Sequence, residues 1–285
     1  MKGWIRRVTP TVTLRAFKRL HRTIHGREPF ENVFHYRPDD VVIVSYPKSG
    51  RTWLQFIMAH LITGMIPDGS KEVDFSNAGF IAPSISWLAQ GSGVDFKALP
   101  SPRIMLSHSP YNTNFPRVIY LMRDVRDVLV SYYYYLKKIQ GFNGTLYEFL
   151  CGAAREVKYG EWDEHLNSWI YQNPSLSNLC LVKYENILRD PFREIEKLAC
   201  FIGLQPTAEQ ISKAVEKSSF DKMRQIEEKK GLGPILDKGN PQIRFVRKGG
   251  SGNWREELGG EEKALIKKRY GNALIRAGYE SSFQW

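Results

Sequence analysis

Val41 to Trp53, VVIVSYPKSGRTW, is the stretch that decides the fold. Val41-Val42-Ile43-Val44 runs without polar alternation, as a strand buried on both faces of a parallel sheet does. Directly after it, Trp53, Phe56, Ile57, His60 and Leu61 are spaced three and four apart, which predicts a helix. Between strand and helix, Pro47-Lys48-Ser49-Gly50-Arg51-Thr52 has to turn. The turn leaves unpaired N–H groups at the helix N-terminus, where the macrodipole also favours negative charge, so a phosphate fits there.

The nucleoside-triphosphate loop, G-x-x-x-x-G-K-S/T, sends its lysine to the terminal phosphates and its hydroxyl to magnesium. Here Ser45 stands at the first glycine, Arg51 stands at the lysine, and Lys48 precedes Gly50. The loop therefore reads as a phosphate site whose ammonium is aimed at a different bond, and the missing G-K-S/T counts against a P-loop kinase that would need ATP and magnesium.

A second apolar run, Val118 to Met122, ends in Arg123-Asp124-Val125-Arg126-Asp127 before a helix expected near Val128. Ligands of open parallel sheets bind at the C-terminal ends of the strands, so Arg123 and Ser131 could converge on a second anionic group of the same ligand. Asp124, Arg126 and Asp127 read as a solvated charge cluster at the helix start. In a third segment, Phe245 to Trp254, Arg247 and Lys248 meet a glycine-rich turn whose Gly249 permits close backbone approach.

Together the three segments resemble the soluble, cytosolic-type sulfotransferases that use 3′-phosphoadenosine 5′-phosphosulfate, PAPS. The resemblance runs from about Val41 to Trp254. It implies a single α/β domain over 1–285, with a central, mostly parallel sheet flanked by helices and a P-loop-like strand-loop-helix phosphate site. It also implies transfer of a sulfuryl group from PAPS to a hydroxyl, or an amine, of a small-molecule acceptor, with release of adenosine 3′,5′-bisphosphate, PAP.

Residue by residue, the resemblance puts Lys48 on the bridging oxygen of the leaving phosphate. Ser49, Gly50, Arg51 and Thr52 surround the 5′-phosphate, and Trp53 stacks on adenine. Arg123, Ser131, Arg247, Lys248 and the Gly249 amide take the 3′-phosphate, with Phe245 in the same closing loop. Tyr184 matches an adenine-contacting tyrosine; Ser218, Phe220 and Met223 match a threonine-serine-phenylalanine segment, with Ser218 replacing the threonine. His108 stands in the place of the catalytic base, and an imidazole titrating near neutrality suits removal of a hydroxyl proton. Ser131 is expected to hold Lys48 away from the bridging oxygen until acceptor binds. The other histidines, His21, His25, His35, His60 and His165, read as structural.

The chain departs from the family pattern at several positions. Arg51 replaces a small hydroxyl residue and could add a phosphate contact or face an acidic acceptor. Leu106 stands where many animal members carry a lysine. Arg255 to Gly260 lacks the threonine-valine motif of many animal dimers, which leaves the oligomeric state open.

Composition suits a soluble enzyme: 285 residues with 42% hydrophobic content can bury a large core. Further strands are expected at Arg103–Ser107 and Leu179–Tyr184. Lys and Arg number 41 against 30 Asp and Glu, a net charge of +11. A basic nucleic-acid-binding module would interleave that charge with aromatic platforms, and Tyr132 to Tyr135 is the only dense aromatic run. The charge is read as attraction for the anionic donor. The spacing of His and Cys suggests no metal site. Three dispersed cysteines, Cys151, Cys180 and Cys200, suit reduced thiols in the cytoplasm. Neither a secretory signal nor a stable membrane insertion is expected. Residues 1–35 form a basic N-terminal segment, in which Trp4–His21 is expected as a helix docked on the protein's own surface. Gly64–Pro102 reads as a substrate-side loop. Glu227–Gly252, rich in glycine and poor in apolar anchors, reads as a closing loop ordered by the donor.

Overall fold

Two-sided burial is what the first strand's composition demands, and the computed structural model of the chain provides it. β1 (Val41–Ser45) is buried along its whole length. It pairs in parallel with β2 (Ile104–Ser107) on one side and β3 (Arg117–Met122) on the other, and β4 (Leu179–Lys183) lies parallel beside β3. The order is β2-β1-β3-β4. The structure describes residues 30–66, 72–88, 95, 99–155, 157–173, 176–232 and 242–285.

The strands depart from expectation only at their ends, and each shift has a local cause. Arg103 is not in the strand; its Nε donates to Asp40 at 2.7 Å in a buried ion pair beside β1. Tyr184 opens the short helix Tyr184–Arg189 instead of ending β4.

Around the sheet, α1 (Arg51–Met65) buries Leu54, Phe56, Ile57, Met58, Ala59, His60 and Leu61. One core cluster joins this face to β1, β2, β3 and β4 and to apolar residues of α4 (Pro191–Ile202) and α5 (Ala208–Lys217). Further helices are α2 (Val125–Gln140), α3 (Trp162–Leu166, continuing as a π-helical turn Asn167–Tyr171), α6 (Phe220–Lys230), α7 (Trp254–Glu257) and α8 (Gly260–Arg276). These elements belong to a unit spanning Tyr36–Trp285. Of the separate unit Met1–His35, the described part contains one helical turn, Phe30–Val33, and the expected helix Trp4–His21 lies outside the described residues.

Two readings of charged segments are corrected. α2 begins at Val125, not near Val128, because the Asp124 carboxylate accepts from the Arg126 N–H at 2.9 Å and caps it. The charges there are buried, not solvated: Arg126 is 1% exposed and Asp127 2%. The Arg126 guanidinium pairs with Asp124 and Glu280 and lies 3.9 Å from the Trp254 ring centroid. Glu280 and Trp254, more than a hundred positions away, leave no mark on the local sequence.

The second correction concerns Glu227–Gly252. Its first four residues, 227–230, finish helix α6. Residues 233–241 lie outside the described set, but 242–254 has several anchors. Lys138 donates to the Ile243 carbonyl at 2.6 Å, and the Glu227 carboxylate accepts from the Phe245 and Val246 amides at 2.8 Å each. Asp127 accepts from the amides of Gly252 at 2.6 Å and Trp254 at 3.0 Å.

Candidate active site

The turn between β1 and α1 is held in a conformation that ordinary residues avoid. Lys48 has φ 70° and Gly50 φ 96°. Left-handed backbone costs a residue with a Cβ on the order of 1–2 kcal/mol, and glycine avoids the penalty. Gly50 is needed for a second reason, since a Cβ there would overlap the Tyr184 ring. The strain at Lys48 is offset by its neighbours: the Arg123 Nη1 donates to the Lys48 carbonyl at 3.2 Å, and the Ser49 amide donates to the Tyr46 carbonyl at 3.2 Å.

Arg123 ties the predicted segments together. Its other terminal nitrogen, Nη2, donates to the Gly250 carbonyl at 3.1 Å, and its guanidinium lies 4.2 Å from the Tyr184 ring centroid. The Arg123 Nε, the Ser49 hydroxyl and the Ser218 hydroxyl are buried without hydrogen-bond partners among the described residues. Buried donors without acceptors are costly, and an unpartnered Nε on Arg123, which lines the cavity, fits a site completed by an anion.

Arg123 borders an open cavity at the strand ends. Of the predicted residues, Gly50, Thr52, Trp53, Arg123, Ser131 and Tyr184 line one part of it, and Phe220, Met223, Phe245, Arg247, Lys248 and Gly249 another. Lys48, Ser49, Arg51, His108 and Ser218 of the predicted set are not in the lining. The Trp53 indole donates to the Ser218 carbonyl at 2.9 Å and meets Tyr184 edge-to-face at 5.3 Å, which fixes an aromatic wall. Opposite, Gly249 has φ 61° and a Cβ there would lie 2.6 Å from the Phe220 ring.

Sequence reasoning missed the acidic partners of this site. Arg247 donates to Glu257 at 2.8 Å and lies 4.1 Å from the Tyr134 ring centroid, and the Tyr134 hydroxyl donates to the same carboxylate at 2.8 Å. Lys248 also pairs with Glu257, at 3.0 Å. Asp127, read as solvated, lines the cavity, as do Leu188, Val246, Gly250 and Asn253. The one available signal for Glu257 was its place on the turn that follows the Arg-Lys-Gly segment.

Among the described contacts, Lys48 makes no hydrogen bond to Ser131. Its ammonium lies 4.3 Å from the Tyr135 ring centroid and 4.9 Å from that of Phe245, an attraction between cation and ring face. Burial, and then repulsion from Arg123 and Arg51, lowers its pKa to about 7.

His108 follows directly on β2. Its Nδ1 lies 2.6 Å from the Ser45 carbonyl at the end of β1, which can only accept, so Nδ1 carries the proton and Nε2 keeps its lone pair. Burial, followed by the Arg51 cation, holds its pKa well below the ordinary histidine value. The ring is therefore neutral at physiological pH, which a base must be. Among the described residues no cluster of three or more His, Cys, Asp or Glu could hold a metal ion.

A parallel sheet with a cationic, aromatic-walled cavity at its strand ends is an architecture for binding phosphorylated nucleotides. The family model described as the sulfotransferase domain matches residues 38–278, and the chain belongs to that family of sulfuryl-transferring enzymes. It is 30% identical over 249 residues to bovine Sulfotransferase 1E1, covering 81% of this chain and 82% of that protein. It is 28% identical over 265 residues to Cytosolic sulfotransferase 1 of Danio rerio, covering 86% and 87%. Among solved structures, mouse sulfotransferase SULT7A1 complexed with PAP superposes with a TM-score of 0.67 at 22% identity, over 90% of this chain and 93% of that one. Retinol dehydratase in complex with androsterone and PAP gives 0.63 at 21% identity, over 85% and 82%.

Proposed function

We propose that this protein moves a sulfuryl group from PAPS to a hydroxyl of a small-molecule acceptor and releases PAP, in the cytoplasm. The observation that carries this reading is Arg123: one guanidinium bonds both the Lys48 turn and the Gly250 turn, and its buried Nε is left without a partner. A ligand with phosphate at both ends of a nucleoside completes that arrangement. The relatives' PAP-bound structures and the cytosolic relative support the donor and the compartment. No helix of the described residues is long and apolar enough to cross a membrane.

In this reading the donor's adenine lies along the Trp53 and Phe220 walls, and its 3′-phosphate meets Arg123, Arg247, Lys248 and the Gly249 amide. The acceptor oxygen forms a bond to sulfur as the bond between sulfur and the bridging oxygen breaks. His108 Nε2 takes the acceptor's proton, and the Lys48 ammonium meets the charge that builds on the departing oxygen. The 3′-phosphate contacts predict that calorimetry finds PAP bound far more tightly than AMP. Arg247→Ala should remove most of that preference, because a charge-assisted hydrogen bond contributes about 1.5–3 kcal/mol. Equal affinity for PAP and AMP in the unaltered protein would overturn the assignment. Turnover of labelled PAPS with a hydroxyl-bearing acceptor, without ATP or magnesium, tests the activity itself.

A further inference from the structure

His165 reads from sequence as a structural histidine, yet one ring nitrogen is committed to the segment that carries the base and the other to the sheet. The side chain is 1% exposed. Its Nε2 lies 3.1 Å from the His108 carbonyl and 3.1 Å from the Ser109 carbonyl. Carbonyls only accept, so Nε2 carries the proton and is shared between them. Nδ1 must then accept, and the Tyr120 hydroxyl donates to it at 2.9 Å. Tyr120 lies in β3, so the chain of contacts runs from the middle of the sheet, through the α3 imidazole, to the peptide units at His108.

That peptide needs such a hold. β2 ends at Ser107, so the strand ladder does not extend to His108 and Ser109. The Ser109 carbonyl has a second donor, the Trp169 indole at 3.0 Å. The His108 carbonyl accepts from His165. The His108 ring is pinned through Nδ1 to Ser45 and packs 5.4 Å from the Tyr159 ring, contacts that leave the placement of its own peptide unfixed. A second restraint has to enter through the backbone, and His165 supplies it.

We propose that His165, seated by Tyr120, is a positioning residue that sets the aim of His108 Nε2 by clamping the 108–109 peptide units. This rests on the reading of His108 as the base. Misplacing a reacting group by about 1 Å can cost on the order of a hundredfold in rate, so loss of the clamp should show in turnover before it shows in donor binding.

The test is a double-mutant cycle with PAPS and an alcohol acceptor. His165→Phe keeps an aromatic ring but loses the donor, and kcat should fall about ten- to hundredfold while PAP affinity stays within about twofold. His165→Gln, whose amide can donate to the carbonyls and accept from Tyr120, should recover most of that loss. In the His108→Ala background, His165→Phe should cause no further drop, because a residue that acts through the base has nothing left to position. Should His165→Phe fail to fold, Tyr120→Phe removes only the hydroxyl, and its kcat defect should likewise vanish in the His108→Ala background. Equal fold losses with and without His108 would overturn the positioning role and leave the base assignment standing. Full turnover in His108→Ala would instead remove the base, and the clamp with it.

Discussion

Lys48→Met is expected to lower kcat about 10²- to 10³-fold and to leave PAP affinity nearly unchanged. Methionine keeps much of the side chain's length and apolar character and deletes the charge, with the ammonium's contacts to the Tyr135 and Phe245 rings. The lost interaction is made chiefly to charge that develops as the bridging bond breaks, so the defect belongs to kcat. The pH dependence adds a signature. The ammonium must be protonated to act, and burial with the Arg123 and Arg51 cations lowers its pKa to about 7. Turnover per donor encounter, kcat/KM for PAPS, should therefore fall as pH rises through about 7. In kcat, which reports the loaded enzyme, the same limb should move to higher pH, because the donor's negative charge favours the ammonium. Both features should be absent from Lys48→Met. An unaltered alkaline limb in that variant would assign it to another group, and an unaltered kcat would end the proposed role.

His108→Ala is expected to cost about 10²- to 10⁴-fold in kcat on an alcohol acceptor, with PAP affinity preserved. The base works unprotonated, so activity rises with pH through its pKa. Burial and then Arg51 push that pKa well below the histidine reference, so the acid limb of the profile should lie well under 6.5. The limb should disappear in the variant. With an acceptor already ionised as a phenolate, His108→Ala should approach the rate of the unaltered protein, because no proton remains to be removed. If the defect were the same for the phenolate and the alcohol, His108 would be acting by something other than proton transfer.

The parts of the site that the sequence disclosed are those whose chemistry is local. An unbroken apolar run followed by a turn and a helix contains its own evidence, and β1, β3 and the two strand-end turns were legible for that reason. Arg247 and Lys248 were visible as cations on a glycine turn. Their carboxylate partner was not, because nothing in Glu257 alone tells a site residue from a solvated helix charge, and its contact with Tyr134 spans 123 positions. Asp127 was misread on the same ground: its amide partners at Gly252 and Trp254 lie 125 and 127 positions away. The closing segment looked poorly anchored because apolar residues were weighed there. Its anchors are hydrogen bonds to Glu227, Lys138, Asp127 and Arg123.

Three cations of the site rest against rings, Lys48 on Tyr135 and Phe245, Arg123 on Tyr184 and Arg247 on Tyr134, whereas Lys248 pairs with Glu256 and Glu257. A carboxylate that holds a cation also cancels its field at a distance, whereas an aromatic face holds it and leaves the unit charge uncompensated. Arg123, seated in this way, and Lys48 in the fraction that stays protonated with a pKa of about 7, can draw a multiply charged nucleotide from solution before any contact forms. The association rate of PAP should therefore fall steeply as ionic strength rises, whereas the dissociation rate, set by short-range contacts, should change far less.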